Sequence, residues 1–256
     1  MLEWIYRGLS KHRITTRYPR LPEPAPEGFH GRIELASGEP VSLPVAGVCP
    51  TGAITVDGAG RVSLDRGRCI LCGECVRALP SVFAFASVYE TAARSPQALL
   101  AGPGADRAAA EPDRGALADQ AGMLRRSIHV RHIDCGSDGA EEWEIQALWN
   151  PYYDIQRLGF FLTNSPRHAD VLLVTGPVTG PMRAPLERTW EVMPHPKALV
   201  AVGTDACGGG LHSWGGVDQV LPVDVYVPGS PPAPIAIMDG LLIAVGLLKP
   251  DGKLAP

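Results

Sequence analysis

The sequence predicts an α/β protein: a doubly wound sheet domain over residues 125–256, preceded by a small α+β module over 49–92 and an extended proline-rich arm over 1–48. Three observations carry that expectation. Two continuous apolar runs, Asp170-Val-Leu-Leu-Val-Thr175 and Lys197-Ala-Leu-Val-Ala-Val-Gly203, end in glycine-bearing turns and read as buried parallel strands. Helical stretches alternate with them, the order of a sheet built from crossovers. In the first half, three cysteines at C-x-x-C-x-x-C spacing follow two short strand-like runs.

The elements follow in order. Residues 1–13 place Leu2, Ile5 and Leu9 on one side of a short helix and Arg7, Lys11 and Arg13 elsewhere. That apolar side is small, which favours a protein surface over lipid. Residues 17–48 carry Pro19, Pro22, Pro24, Pro26, Pro40 and Pro44, the composition of an extended arm that wraps another surface. Ala53–Val56 and Arg61–Leu64 are strand-like, with Asp57–Gly60 as the turn. Residues 93–124, rich in Ala, Gly, Pro and charge, read as a linker with one helical turn near its end.

In the second domain Ser127–Ile133 alternates as a strand does. Glu141–Phe161 reads as a helix capped around Ser137 and Asp138 and interrupted at Pro151. Ala184–Val192 reads as a helix with Pro185 in its first turn, and Pro234–Leu248 as a closing apolar helix. Ligands of such sheets sit beyond the carboxyl ends of the strands. Those ends are Thr175–Thr179 and Gly203–Gly210.

Bulk properties narrow the function. With 256 residues the chain holds one large domain or two small ones. A net charge of −4 gives no basic footprint for nucleic acid. No apolar run reaches the length of a membrane span, and the first residues are too polar for a secretory signal. The six cysteines are clustered, not scattered as a disulfide framework, which fits a reducing compartment. Gly208–Gly210 lacks the phosphate-loop patterns, and the histidines show no metal-binding pairing.

Cys69, Cys72 and Cys75 are preceded by Cys49-Pro50. Bacterial ferredoxins hold cubane clusters with C-x₂-C-x₂-C-x₃-C-P runs whose last cysteine ligates the other cluster. By that rule Cys49, Cys69, Cys72 and Cys75 hold one [4Fe–4S] cluster, in a ferredoxin-like module. A zinc site on the same thiols is the alternative. A second cluster has no ligands: counting back from Cys49 by the motif intervals gives Val45, Ser42 and Glu39, and Leu79 precedes Pro80.

The segments IHVRHIDCGS, NPYYDIQRLGFFLTNSPRHADVLLVTGPVTGPM, PKALVAVGTDACGGG and LPVDVYVPGSPPAPIAIMDGLL cover nearly all of 125–245. They resemble the cluster-bearing small subunit shared by energy-converting (group 4) [NiFe] hydrogenases, formate hydrogenlyase and respiratory complex I, its B-type or 20 kDa subunit. The resemblance implies a flavodoxin-like sheet domain. The first half, with ITTRYPRLPEPAPEGFHGR, looks like the two-cluster ferredoxin-like subunit of the same complexes. The chain therefore resembles a fusion of two neighbouring subunits. The resemblance implies three kinds of partner: a hydrogenase-large-subunit-like (complex I 49 kDa, D-type) subunit, a membrane-embedded H-type subunit, and antiporter-like subunits. It implies a peripheral place on the cytoplasmic face of the membrane.

The departure from the family pattern is specific. The family holds a proximal [4Fe–4S] cluster with two cysteines in a segment like DAGSCNGCE, one in GxCA and one in PGCPP. Here those positions carry Asp138, Glu141, Asp205 and Ser230, while Cys135 and Cys207 stand displaced beside them. This matches the energy-converting-hydrogenase-related complexes, which have lost metal ligands. Close buried carboxylates do not all ionise cheaply. The position is open to several contents: a salt-bridged plug with arginines, some from a partner; a hard cation such as Mg²⁺ or Ca²⁺; a proton-handling cluster; or a non-standard centre using Cys135 and Cys207. Two functions follow as expectations. One is a scaffold and iron–sulfur subunit that does not support hydrogen turnover. The other is an electron-transferring oxidoreductase subunit with a substituted metal centre at Asp138, Glu141 and Asp205.

Overall fold

The computed structural model of the chain describes residues 3–11, 14–36, 41, 43–103, 127–212 and 214–248. Glu39 and Ser42, most of the linker and the residues after 248 lie outside them. The second half is built on strands β6 (Ile128–Asp134), β7 (Phe160–Leu162), β8 (Val171–Thr175), β9 (Ala198–Val202) and β10 (Val225–Val227). They form one sheet in the order β10-β9-β8-β6-β7, with every pair parallel. This is a doubly wound sheet, consistent with a flavodoxin-like domain, whose crevice opens where the strand order reverses, between β6 and β8.

The sheet is buried on both faces, which is why β8 and β9 read as unbroken apolar runs. Helices α3 (Ala140–Ala147) and α6 (Pro234–Ala244) cover one face, and α4 (Gly180–Val192) covers the other. All eleven residues of α6 are buried, as expected of a helix that is apolar all round.

Three elements differ from the sequence expectation. The long helix ends at Ala147. Asp154 and Gly159 both take left-handed backbone conformations around a helical turn at Ile155–Leu158, and the chain returns as edge strand β7. Gly159 suits that reversal because it lacks a Cβ. Helix α4 starts a turn earlier than expected, with Pro181 in its first turn and Pro185 inside it. Two prolines fit a first turn here, and the upstream one holds it. Strand β10 is three residues long, too short to show a period.

The first half contains helix α1 (Glu3–Lys11), strands β1 (Arg32–Leu35), β2 (Ile54–Val56), β3 (Val62–Asp65), β4 (Phe83–Ala86) and β5 (Leu100–Ala101), and helix α2 (Glu74–Ala78). Ile5 and Leu9 of α1 are exposed. β2 and β3 form the expected hairpin; Asp57 Oδ1 accepts the N–H groups of Ala59 and Arg61, closing its turn. β5 adds a third antiparallel strand to β3, and β1 pairs with β4. Ala93 forms a two-way backbone bridge to Tyr226 of β10, so this stretch touches both halves.

Residues 15–18 are fastened to the sheet domain. Thr16 N–H donates to Tyr152 O at 2.8 Å, and the Thr15 hydroxyl donates to Pro151 O at 3.0 Å. Tyr18 enters the main core at 3% exposure, and its hydroxyl donates at 2.8 Å to Asp239 in the middle of α6. Burial raises the Asp239 carboxyl to about 6, and nearby Glu90 adds to the effect. Tyr18→Phe removes the hydrogen-bond donor of a buried carboxyl. It is expected to cost about 1–3 kcal/mol, read as a lower urea midpoint with an unchanged slope. A midpoint equal to wild type would show that Asp239 has another donor.

Candidate metal centre and the acidic pocket

The four thiols come together. Cys49 follows a helical turn at Leu43–Val48, Cys69 follows another at Arg66–Arg68, and Cys75 lies in α2. Cys72 is exposed, Cys75 buried, and the other two are intermediate. Cys69 senses the charges of the other three thiols and Cys75 those of Cys72 and Cys49, an effect that adds to burial in raising both. Burial leads in pushing Cys69 up to about 11. Against burial, Cys49 is lowered by hydrogen bonds from Thr51, Ala53 and Ile54; the Ala53 N–H lies 3.3 Å from its sulfur. Backbone donors also reach Cys69, from Leu71, and Cys75, from Val76. Donors aimed at sulfur are what an anionic cluster calls for. Among the described residues, no three His, Cys, Asp or Glu close on a point as a single ion requires. A cubane takes its thiolates at separate corners, and the backbone donors on Cys49, Cys69 and Cys75 fit such a group.

This loop packs on the sheet domain. The Thr204 hydroxyl lies 3.1 Å from Cys69 O and 3.0 Å from Gly229 O. Thr204 opens the short helix α5 (Thr204–Gly208), which follows β9 and carries Asp205. A Cβ on Gly208 would stand 2.7 Å from Gly67 O and 2.6 Å from Arg68 Cγ. Gly208→Ala is therefore expected to separate the two surfaces at a cost of about 1–3 kcal/mol. Faster hydrogen exchange of residues 66–70 would report it, and unchanged exchange would contradict it.

The acids lie at the carboxyl edge of the sheet, beside the β6–β8 crevice. Asp138 is exposed and precedes Gly139, the N-cap of α3, accepting the Ala140 N–H at 2.9 Å. Glu141, in the first turn of α3, is 6% exposed. A Cβ on Gly203 would stand 2.4 Å from Glu141 Oε1, so the carboxyl lies against that glycine, whose φ is +90°. Asp205 lies against Gly210 in the same manner. Burial, reinforced by Asp138, Glu142 and Asp205, raises Glu141 from 4.5 to about 7. Burial also raises Asp205, opposed by His212, whose Nε2 is 4.0 Å away. The three acids thus share one field. Ser230 is exposed in the β10–α6 loop, next to Gly229, whose carbonyl accepts the Thr204 N–H at 2.8 Å. Cys135 and Cys207 are buried in the apolar layer under α4, where burial pushes Cys135 up to about 12 and Cys207 higher still. Both are protonated thiols there.

Sequence reasoning missed the polar network behind this pocket. Glu142 accepts from the hydroxyls of Ser137 and Thr175, and His132 Nε2 lies 3.0 Å from Thr175 Oγ1 and 3.4 Å from Glu142 Oε1. These contacts tie the β6–α3 loop to the ends of β6 and β8. The local signal is limited to the doubled acid at 141 and 142. The rest joins residues 33 and 43 apart.

Residues 138–244 match the family described as NADH ubiquinone oxidoreductase, 20 Kd subunit. The "Probable membrane-bound hydrogenase subunit mbhJ" of Pyrococcus furiosus is 41% identical over 128 residues, 48% of this chain and 77% of that one. The chain belongs to the 20 kDa subunit family. Formate hydrogenlyase subunit 7 of Escherichia coli K12 is 44% identical over 131 residues, 49% of this chain and 51% of that protein. An NADH-quinone oxidoreductase subunit of Amoebophilus asiaticus is 44% identical over 105 residues, 39% of this chain and 66% of that one. The chain thus spans about half the length of the formate hydrogenlyase relative. The family match begins at Asp138 and includes Glu141, Asp205 and Ser230, whereas all four clustered cysteines lie before it. No helix among the described residues is long and apolar enough to cross a membrane.

Proposed function

We propose that this chain is an iron–sulfur and scaffold subunit of a membrane-associated, complex I-like assembly of the energy-converting-hydrogenase-related kind. It fuses a ferredoxin-like module and its proline-rich arm to a 20 kDa-type domain. Cys49, Cys69, Cys72 and Cys75 hold one [4Fe–4S] cluster, which supplies one-electron chemistry when bound. The proximal cluster is lost, because Asp138, Glu141, Asp205 and Ser230 stand at its ligand positions, and hydrogen turnover through this chain is not supported. Its partners are a hydrogenase-large-subunit-like chain and membrane-embedded H-type and antiporter-like subunits, on the cytoplasmic face of the membrane.

One observation carries the reading. Four neighbouring thiols, three of them with backbone donors on their sulfurs, belong to a loop that packs, through Thr204 and Gly208, against a family site that presents oxygen atoms instead of sulfur. The alternative, an electron-transferring oxidoreductase subunit with a substituted metal centre at Asp138, Glu141 and Asp205, differs from this reading in metal content. The test is metal analysis with EPR on the reduced complex. About four iron per copy of this chain and a single cluster signal assigned to it are expected. Two interacting [4Fe–4S] signals from this subunit, or a stoichiometric second metal, would falsify the proposal.

A further inference from the structure

The acidic pocket is incomplete in this chain. Glu141 is 6% exposed, yet beyond its own backbone N–H its carboxyl has no hydrogen-bond donor and no ion pair among the described residues. An ionised carboxylate is seldom left buried without a partner. It shares its field with Asp138 and Asp205, and the exposed His212 stands beside them, its Nε2 4.0 Å from Asp205. The carboxyls lodge against two different glycines, Gly203 and Gly210, rather than on a common point. That spread suits a wide, planar, forked cation better than a compact ion. The rim also fits such a group: Leu211 is 63% and Trp214 57% exposed, and the Trp214 and His212 rings stack at 5.2 Å and 9°. Guanidinium groups stack on such faces, and Trp and Arg dominate the energetics of protein interfaces.

Resting on the subunit reading above, we infer that the former cluster position is a docking socket for an arginine side chain of the partner subunit that covers this edge of the sheet. The guanidinium lies between Glu141 and Asp205, stacks on the Trp214–His212 pair, and supplies the countercharge this chain lacks. Negative charge in the pocket meets positive charge on the partner, and Leu211 with Trp214 excludes water around the contact.

The experiment places a photo-crosslinking phenylalanine analogue at Trp214 in the intact membrane complex and sequences the trapped peptide. Affinity of the purified partner is then measured for wild type and for the double variant Glu141→Gln, Asp205→Asn. A trapped peptide containing arginine, with affinity reduced by about thirtyfold or more in the double variant, is expected. A melting temperature for the double variant no lower than that of wild type controls for misfolding. Reversing the trapped arginine to glutamate should give a similar loss. A trapped peptide without arginine, or double-variant affinity within about threefold of wild type, overturns the inference while the subunit reading stands. A chain that leaves membranes alone and crosslinks to nothing overturns both.

Discussion

Cys72→Ser is expected to strip the chain of nearly all its iron and to unfold the small module while the sheet domain stays folded. Cys72 is the exposed member of the four, so its replacement removes no packing. Any loss of structure must come from the cluster. The module has little else to hold it. Among the described residues its core cluster is nine buried residues, Val45, Leu64 and Phe83 among them, drawn from short helical turns, loops and strands of two to four residues. Folds of that size commonly need a metal centre, which can supply on the order of 10 kcal/mol of folding free energy. Hydrogen exchange should rise across 49–86 in the variant and remain low in β8, β9 and α6. The result also separates two roles. If the module stays protected and the complex assembles without iron, the cluster is an electron carrier and not a staple.

The expected unfolding stops at the docking surface because the two halves have separate cores. The sheet domain could be read from the sequence where burial on both faces leaves an unbroken apolar run, as in β8 and β9. It could not be read in β7 and β10, where three residues carry no period and the tertiary partner decides the state. The thiol set was legible because its spacing is local. The acids at 138, 141 and 205 were legible only through the family resemblance, since nothing in their own spacing draws them together. Three contacts join distant parts of the chain and leave no local pattern: Thr204 to Cys69, Tyr18 to Asp239, and Glu142 to Thr175. They are also what places the site, fixing the cysteine loop, the arm and the β6–α3 loop on one scaffold.

Glu141→Gln is expected to stabilise the chain taken alone and to weaken its assembly. The folded chain holds this carboxyl at about 7 against an ordinary 4.5. Protonated in both states at low pH, the group costs little there. As the pH rises from 4.5 through 7 the unfolded chain releases the proton first, so folding stability falls. Above 7 the loss levels off, at no more than about 3 kcal/mol. Glutamine keeps the shape and cannot ionise, so its advantage over wild type should grow from less than about 1 kcal/mol at pH 5 to about 3 kcal/mol at pH 8. Thermal melts of the two chains across that range measure it. An advantage that does not change with pH would mean that Glu141 stays ionised, already paired within the chain, which would contradict the open socket. In the assembled complex the sign should reverse, because the partner's arginine then loses its carboxylate. A side chain that destabilises its own subunit in isolation and strengthens its attachment to another has its role at the interface, and the opposite signs of the two measurements separate that role from a merely tolerated buried acid.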